Sequence, residues 1–199
     1  MLRRSIFFIL MGFIVISASA QQEAGKSSYL TYQRIEVGYL FGGQMYNNTF
    51  TYNPGVNFQG AYGFKLSKRV YSGLGLGFHS LENERFIPLF AEVIGKTNKK
   101  DNSPVIRMQM GYAHAWYNGY DDIAGFDFKG GAYFSAGYGL QLQVNAMYYA
   151  TFFLSYVHQF GQIEFESYSE SSYQQQLNYD MLSLTLSLTR KESSKHVEN

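Results

Sequence analysis

His79, Ser80, Glu82 and Glu84 lie close together in the chain. They are the residue types of a serine hydrolase: a hydroxyl nucleophile, a base to take its proton and a carboxylate to orient the base. Their spacing argues against that use. Neighbouring side chains on an extended strand point to opposite faces, so His79 and Ser80 diverge unless the strand has already ended. His114, His158 and His196 are scattered without metal-ligand spacing. Cysteine is absent, which excludes thiolate zinc sites, iron–sulfur clusters, disulfides and cysteine nucleophiles. Asp121, Asp122 and Asp127 could offer oxygen ligands but lack the Asp-x-Asp-x-Asp-Gly order of a calcium loop, and read as solvated loop. No catalytic residue, no cofactor and no metal site is expected.

Arg34, Glu36, Lys65, Glu92 and Arg107 are a more informative set, because each falls on the polar side of a segment that alternates with period two. If that side lines a narrow interior, the charges must pair, since an isolated buried charge costs several kcal/mol. The expected role is a structural salt-bridge network. An ion gate or proton path is the alternative use of the same residues.

The elements that would position these residues are strands. No sustained 3.6-residue period occurs after the first twenty residues. Ile35, Val37, Tyr39 and Phe41 alternate with Arg34, Glu36, Gly38 and Leu40. Val56, Phe58, Gly60, Tyr62, Phe64 and Leu66 alternate with Asn57, Gln59, Ala61, Gly63 and Lys65. The same pattern sets Leu74, Leu76 and Phe78 against Gly73, Gly75, Gly77 and His79, and Ile106, Met108, Met110, Tyr112 and Trp116 against Arg107, Gln109, Gly111, Ala113 and Ala115. It recurs with Phe134, Tyr138, Leu140 and Leu142 against Ser135, Gly137, Gly139 and Gln141. Residues 147–160 are apolar on both sides, with Thr151, Ser155 and Gln159 sharing one of them. Leu182, Leu184, Leu186 and Leu188 against Ser183, Thr185, Ser187 and Thr189 form the cleanest case. Residues 86–94 are noisier, because Pro88 lacks a ladder donor, and their register stays open. About eight strands result, many of ~9 to 12 residues, the length a tilted strand needs to cross a hydrocarbon core.

The 199 residues suit one domain. With 16 basic and 15 acidic residues there is no basic field to hold nucleic acid. Charged residues are 16% and aromatic residues 18%, an odd pairing for a water-soluble surface. Residues 1–20 read as a secretory signal peptide: Arg3 and Arg4, an apolar stretch from Ile6 to Ile16, and the small run Ala18-Ser19-Ala20. Cleavage is expected between Ala20 and Gln21. The apolar stretch is too short to span a bilayer as a retained anchor. The expected organisation is a signal peptide at 1–20, a polar lead at 21–33, a barrel at 34–190 and a polar periplasmic tail at 191–199.

Parity alone does not say which face looks inward, but the composition of the polar face does. A hydrated outer face would carry Lys, Glu, Asp and Arg. Here it is mostly Gly, Ala, Ser, Thr, Asn and Gln, which suit the cramped interior of a closed eight-stranded barrel. The other face is Leu, Val, Ile, Phe and Met, with Tyr and Trp toward many segment ends, as at two lipid interfaces. The expected fold is therefore all-β: an eight-stranded antiparallel up-and-down transmembrane β-barrel with a porin-like wall and a plugged lumen. With the amino terminus periplasmic, the long connections 42–54, 117–130 and 161–178 fall on the extracellular side, and the ten-residue turn at 95–104 is a misfit among short periplasmic turns.

The repeated Gly-aromatic pattern (Gly38-Tyr39, Tyr62-Gly63-Phe64, Gly111-Tyr112, Gly137-Tyr138-Gly139) and the run Phe86-Ile87-Pro88-Leu89-Phe90-Ala91-Glu92 carry a resemblance. Over most of residues 34–190 the chain resembles the small eight-stranded outer-membrane β-barrels, in particular the barrel-domain proteins common in Bacteroidota, similar to the OmpA- and OmpX-type barrels. That family usually ends its last strand on an aromatic residue, which the insertion machinery reads; here the strand closes Leu188-Thr189-Arg190. The resemblance implies a bacterial outer-membrane location. It implies outer-membrane lipid, lipopolysaccharide and the insertion machinery as partners. It also implies a non-enzymatic structural or adhesive role, with extracellular protein or glycan met through loops 42–54, 117–130 and 161–178. Two other readings carry different consequences: an outer-membrane lipid-modifying enzyme, and a soluble exported lipid-binding barrel with the Leu182 to Leu188 face turned inward.

Overall fold

The computed structural model describes residues 30–46, 49–82, 84–118, 126–166 and 172–191. The expected signal peptide, with its cleavage point at Ala20 and Gln21, and the expected tail lie outside the described residues, as do Asp121 and Asp122. Among the described residues nine strands run in chain order: β1 (Thr31–Tyr46), β2 (Thr49–Tyr52), β3 (Gly55–Lys65), β4 (Val70–Leu81), β5 (Glu84–Lys96), β6 (Ser103–Asn118), β7 (Phe126–Gln143), β8 (Tyr148–Glu166) and β9 (Ser172–Lys191). Every neighbour is antiparallel, and β1 pairs with β9 from Tyr32↔Lys191 to Met45↔Asn178, which closes the sheet. Eight strands make the wall, because β2 and β3 share one edge of β1. β3 pairs with it up to Leu40↔Gly55 and β2 takes over at Gly43↔Tyr52.

The handover happens at Gly42, whose φ of 154° lets the chain pass where a Cβ would run into the Asp180 backbone. Asn53 braces the junction: its Nδ2 donates to Glu84 Oε2 at 2.5 Å and its Oδ1 accepts from the Glu82 amide at 2.9 Å.

Burial follows the expected parity. Leu184, Phe58 and Leu140 stand outward, 51, 56 and 47% exposed, while Ser183, Gln59 and Gln141 on the same strands are buried in the barrel. The Leu182 to Leu188 face is thus outside, which excludes the soluble lipid-carrier arrangement. The outward side chains of all eight wall strands form a belt of Ile35, Val37, Leu74, Leu76, Leu89, Met108, Tyr138, Phe152, Leu154 and their neighbours. Water cannot solvate an apolar surface of that extent without driving association.

Several boundaries differ from the expected ones. The barrel begins at Thr31 and ends at Lys191, slightly wider than 34–190. The described residues of the connections 42–54, 117–130 and 161–178 are largely strand: β1 runs to Tyr46 and β2 lies within the first, β6 runs to Asn118 and β7 starts at Phe126 in the second, and β8 and β9 reach Glu166 and Ser172 in the third. Polar strands that rise above an apolar belt keep their ladder but lose the hydrophobic alternation that marks them in sequence. The expected ten-residue turn shortens to residues 97–102, and Thr97 donates its amide to Pro104 O at 3.0 Å. In β5 the register left open resolves with Phe86, Pro88, Phe90 and Glu92 inward. The β4–β5 ladder skips from Leu76↔Leu89 to His79↔Phe86, across the proline that has no N–H to give.

At the end opposite the termini the wall opens out. β6 pairs with β7 only up to Ala113↔Gly131, while β7 continues with β8 from a bulge at Gly130 to Phe126↔Phe165. β7, β8 and β9 therefore leave the barrel as a three-stranded sheet.

Candidate functional site

The interior has two layers. Toward the end that carries the termini, Arg34, Glu36, Glu92 and Arg107 meet across the barrel from β1, β5 and β6. Arg34 Nη2 lies 2.5 Å from Glu92 Oε2, and Glu36 Oε2 accepts from both Arg34 and Arg107. Two cations thus face two carboxylates, all four no more than 2% exposed. Amides and hydroxyls take up several of the remaining lone pairs and protons, while Glu36 Oε1 and Arg107 Nε have no partner among the described residues. Tyr32 OH donates to Glu92 Oε1 at 2.9 Å, Gln109 Nε2 to Glu92 Oε2 at 3.1 Å, and Arg107 Nη2 to Ser155 Oγ at 3.3 Å. The Arg107 guanidinium also stacks 4.1 Å from the centre of the Phe153 ring. Beside this network a cavity of about 30 Å³ touches Tyr32, Arg34, Val105, Thr151 and Phe153.

Lys65 does not join. It is the last residue of β3, only partly buried, and among the described residues no carboxylate comes within 4 Å of its ammonium. A long side chain at a strand end reaches water, so nothing compels it to pair. Sequence reasoning missed the neutral partners Tyr32, Gln59, Gln109, Tyr133 and Ser155. Their signal was present, because Gln59, Gln109 and Ser155 sit on the polar parity of their strands, as the charges do. An amide can satisfy itself in water or in a core, so its type alone does not demand a partner.

Above the ion pairs the interior is not lined by small residues, as expected, but filled with bulk. Leu40, Phe86, Phe90, Tyr133, Val157, Leu177, Tyr179 and Met181 form one buried cluster, with Phe128 and Ile163 of the projecting sheet folded against it. Phe86 stands edge-on to Phe128 and Tyr179 at ring separations of 5.4 and 5.3 Å. Glycine makes room for this layer: a Cβ on Gly75 would come within 2.4 Å of two carbons of the Phe90 ring.

His79 belongs to the boundary between the layers. It is fully buried, its Nε2 is 3.2 Å from the Gln59 amide, and its ring meets Tyr133 edge-on at 5.6 Å. β4 continues past it to Leu81, so Ser80 points the other way and the two do not meet. Glu84 is engaged by Asn53, and Glu82 is exposed. The residues of the hydrolase reading are therefore not assembled.

His114 faces outward, like Trp116. His158 also faces outward, and its Nδ1 lies 2.7 Å from Asp180 Oδ1, an oxygen that also accepts from Tyr156 OH. Asp127 pairs with Lys129 at 3.4 Å rather than gathering other carboxylates, and no group of three metal-ligating side chains occurs among the described residues.

No protein family matches the chain, and no curated protein sequence does. Solved structures do. Neisserial surface protein A, from Neisseria, superposes with a TM-score of 0.55 at 8% identity, over 82% of this chain and 97% of that one. The outer membrane protein AlkL, solved in lipid bilayers, superposes with a TM-score of 0.51 at 10% identity, over 88% of this chain and 97% of that one. The fold is that of the small outer-membrane β-barrels. At such identities the likeness carries the architecture: a closed, antiparallel, eight-stranded wall with an apolar exterior.

Proposed function

We propose that the chain is a non-enzymatic protein of a bacterial outer membrane, closed to solutes, with a structural or adhesive role exercised through the end where β7, β8 and β9 project. One observation carries this reading: the large apolar side chains face outward along every wall strand, while charges, amides and aromatic rings fill the inside. Such an exterior needs acyl chains around it, and a closed barrel is the only strand arrangement that leaves no unpaired backbone in hydrocarbon. The belt is spanned by Leu188 to Leu182 on β9 and by Phe152 to Tyr156 on β8. The sheet above it carries Lys129, Gln162, Glu164 and Gln174, a surface made for water.

The interior supports closure. The ion pairs and the aromatic layer lie in series, and the cavity between them and the lower mouth has room for a water or two. Absence of an enzyme is proposed because the His79 and Ser80 combination weighed in the sequence points to two faces of β4. Outer-leaflet lipid and lipopolysaccharide are the proposed immediate surroundings, the insertion machinery the proposed assembly partner, and extracellular protein or glycan the proposed contact of the projecting sheet.

The experiment is fractionation joined to whole-cell proteolysis. The protein is expected in the outer-membrane fraction, migrating faster unheated than heated, with added protease cutting at the projecting hairpins and sparing the belt. Recovery in a soluble pool without detergent, or protection of every loop in intact cells, would overturn the reading.

A further inference from the structure

The outer wall carries a trough where β7, β8 and β9 rise above the apolar belt. Its volume is about 590 Å³, and it is bounded by Gly130, Gly131, Phe160, Gln162, Gln174 and Gln176. Most of the side chains that line it, Phe160, Gln162, Gln174 and Gln176, have outward parity, whereas Gln175 shares the inward parity of Ile163 and Leu177. It is therefore a feature of the wall and not a mouth of the lumen. Its position follows from register: on β8 and β9 the belt gives way at the His158↔Asp180 pair, then come Phe160↔Asn178, Gln162↔Gln176 and Glu164↔Gln174.

Three properties of the trough define what fits it. Its floor includes the backbone of Gly130 and Gly131 at the bulge in β7 and of Gly161 on β8, against which a flat solute can lie. Its walls are amides, held in place: Gln162 Nε2 and Gln174 Nε2 both donate to Glu164 Oε1, at 3.0 and 2.8 Å, and Lys129 Nζ fixes the other carboxylate oxygen at 2.5 Å. With the nitrogens committed to Glu164, the amide oxygens of Gln162 and Gln174 are left to accept from a ligand's hydroxyls, and Gln176 adds an amide with no partner among the described residues, able to donate and accept. Phe160 supplies a ring at the lower end. Charge excludes one large ligand class, because Asp127, Glu164 and Asp180 outnumber Lys129 even when His158 is protonated, so a phosphate or sulfate finds no net cation.

We propose that this trough binds an uncharged saccharide through the Gln162, Gln174 and Gln176 amides, with Phe160 against a sugar face. The ligand is either the headgroup of a neutral glycolipid in the surrounding leaflet or a free glycan arriving from outside. This names the ligand class of the projecting sheet and rests on the surface-contact reading above.

The test uses the full mature chain folded in nanodiscs. Maltotetraose and chitotetraose are the soluble neutral probes, a heparin-derived tetrasaccharide is the anionic one, and vesicles with or without a digalactosyl lipid are the membrane-borne probe. Binding is read by saturation-transfer NMR and calorimetry. At least one neutral probe is expected to bind, Gln162→Ala with Gln174→Ala weakens it about tenfold or more, and the anionic probe binds at least about tenfold less tightly. Gln143→Ala, at the opposite end of the barrel, leaves binding unchanged, and heat-modifiable migration verifies folding of each variant. A soluble oligosaccharide bound in this way marks a free glycan as the ligand, and the digalactosyl vesicle alone marks a lipid-borne one. No binding of any neutral probe, undiminished binding by the double variant, or equal binding of the anionic probe overturns the proposal. Adhesion of whole cells distinguishes the two levels: cells that lose adhesion on deleting the protein but not on the double substitution keep the surface-contact reading and refute the trough.

Discussion

Glu36 is the residue on which the interior network turns, since its single carboxylate oxygen takes both Arg34 and Arg107. Glu36→Gln leaves two guanidinium groups with Glu92 alone, and an uncompensated buried charge typically costs about 3–5 kcal/mol. A matching drop is expected in the urea midpoint at which the fast-migrating unheated band disappears. Pairing it with Arg107→Met should restore most of the loss, because it removes the stranded charge; a double variant no more stable than the single one would show that the network does not act through charge balance. Gly75→Val gives a second check, with overpacking against the Phe90 ring and the Gly60 carbonyl costing about 1–3 kcal/mol in the same urea midpoint. Arg34, Glu36, Glu92 and Arg107 were legible from parity combined with the cost of burying charge. Tyr32, Gln59 and Gln109 were not, because neutral groups carry no such penalty large enough to force an inference. The Phe86–Phe90 layer escaped as well, since aromatic residues in a noisy strand could face either way.

At the scale of elements, the outer belt predicts a depth profile. Leu184→Arg, in the middle of the β9 face, should cost about 2–4 kcal/mol of folding stability in liposomes, whereas Gln176→Arg, above the belt on the same strand, should cost about 0–1 kcal/mol. Equal costs at the two positions would mean that the belt does not lie in hydrocarbon. β9 was readable in sequence to the residue from Leu182 to Leu188, and β3 likewise, because one face is apolar and outward and the other meets a packed interior. The upper parts of β7, β8 and β9 read as loops in the sequence, since their outward face is polar and only Phe128, Ile163 and Leu177 mark the inward one, too few to stand out as period two. β2 was missed for the same reason. It is short, wholly exposed and recognisable only by its pairing to the upper half of β1.

For the whole molecule, two layers of filled interior predict negligible permeability. Liposomes reconstituted with the protein should swell in sugar solutions no faster than empty ones, and planar bilayers should show no steady single-channel steps; reproducible conductance would contradict the closed interior. The claim beneath all of this is the orientation of the two faces, and the absence of cysteine makes it directly measurable with single labels. Spin labels placed one at a time by cysteine substitution at each position from 182 to 188, in the chain folded into liposomes, report collision with membrane-dissolved oxygen and with a water-soluble nickel chelate. The leucine positions are predicted to collide with oxygen, and Ser183, Thr185 and Ser187 with neither reagent, in strict alternation. Leucine positions shielded from oxygen beside serine positions reached by nickel would contradict it.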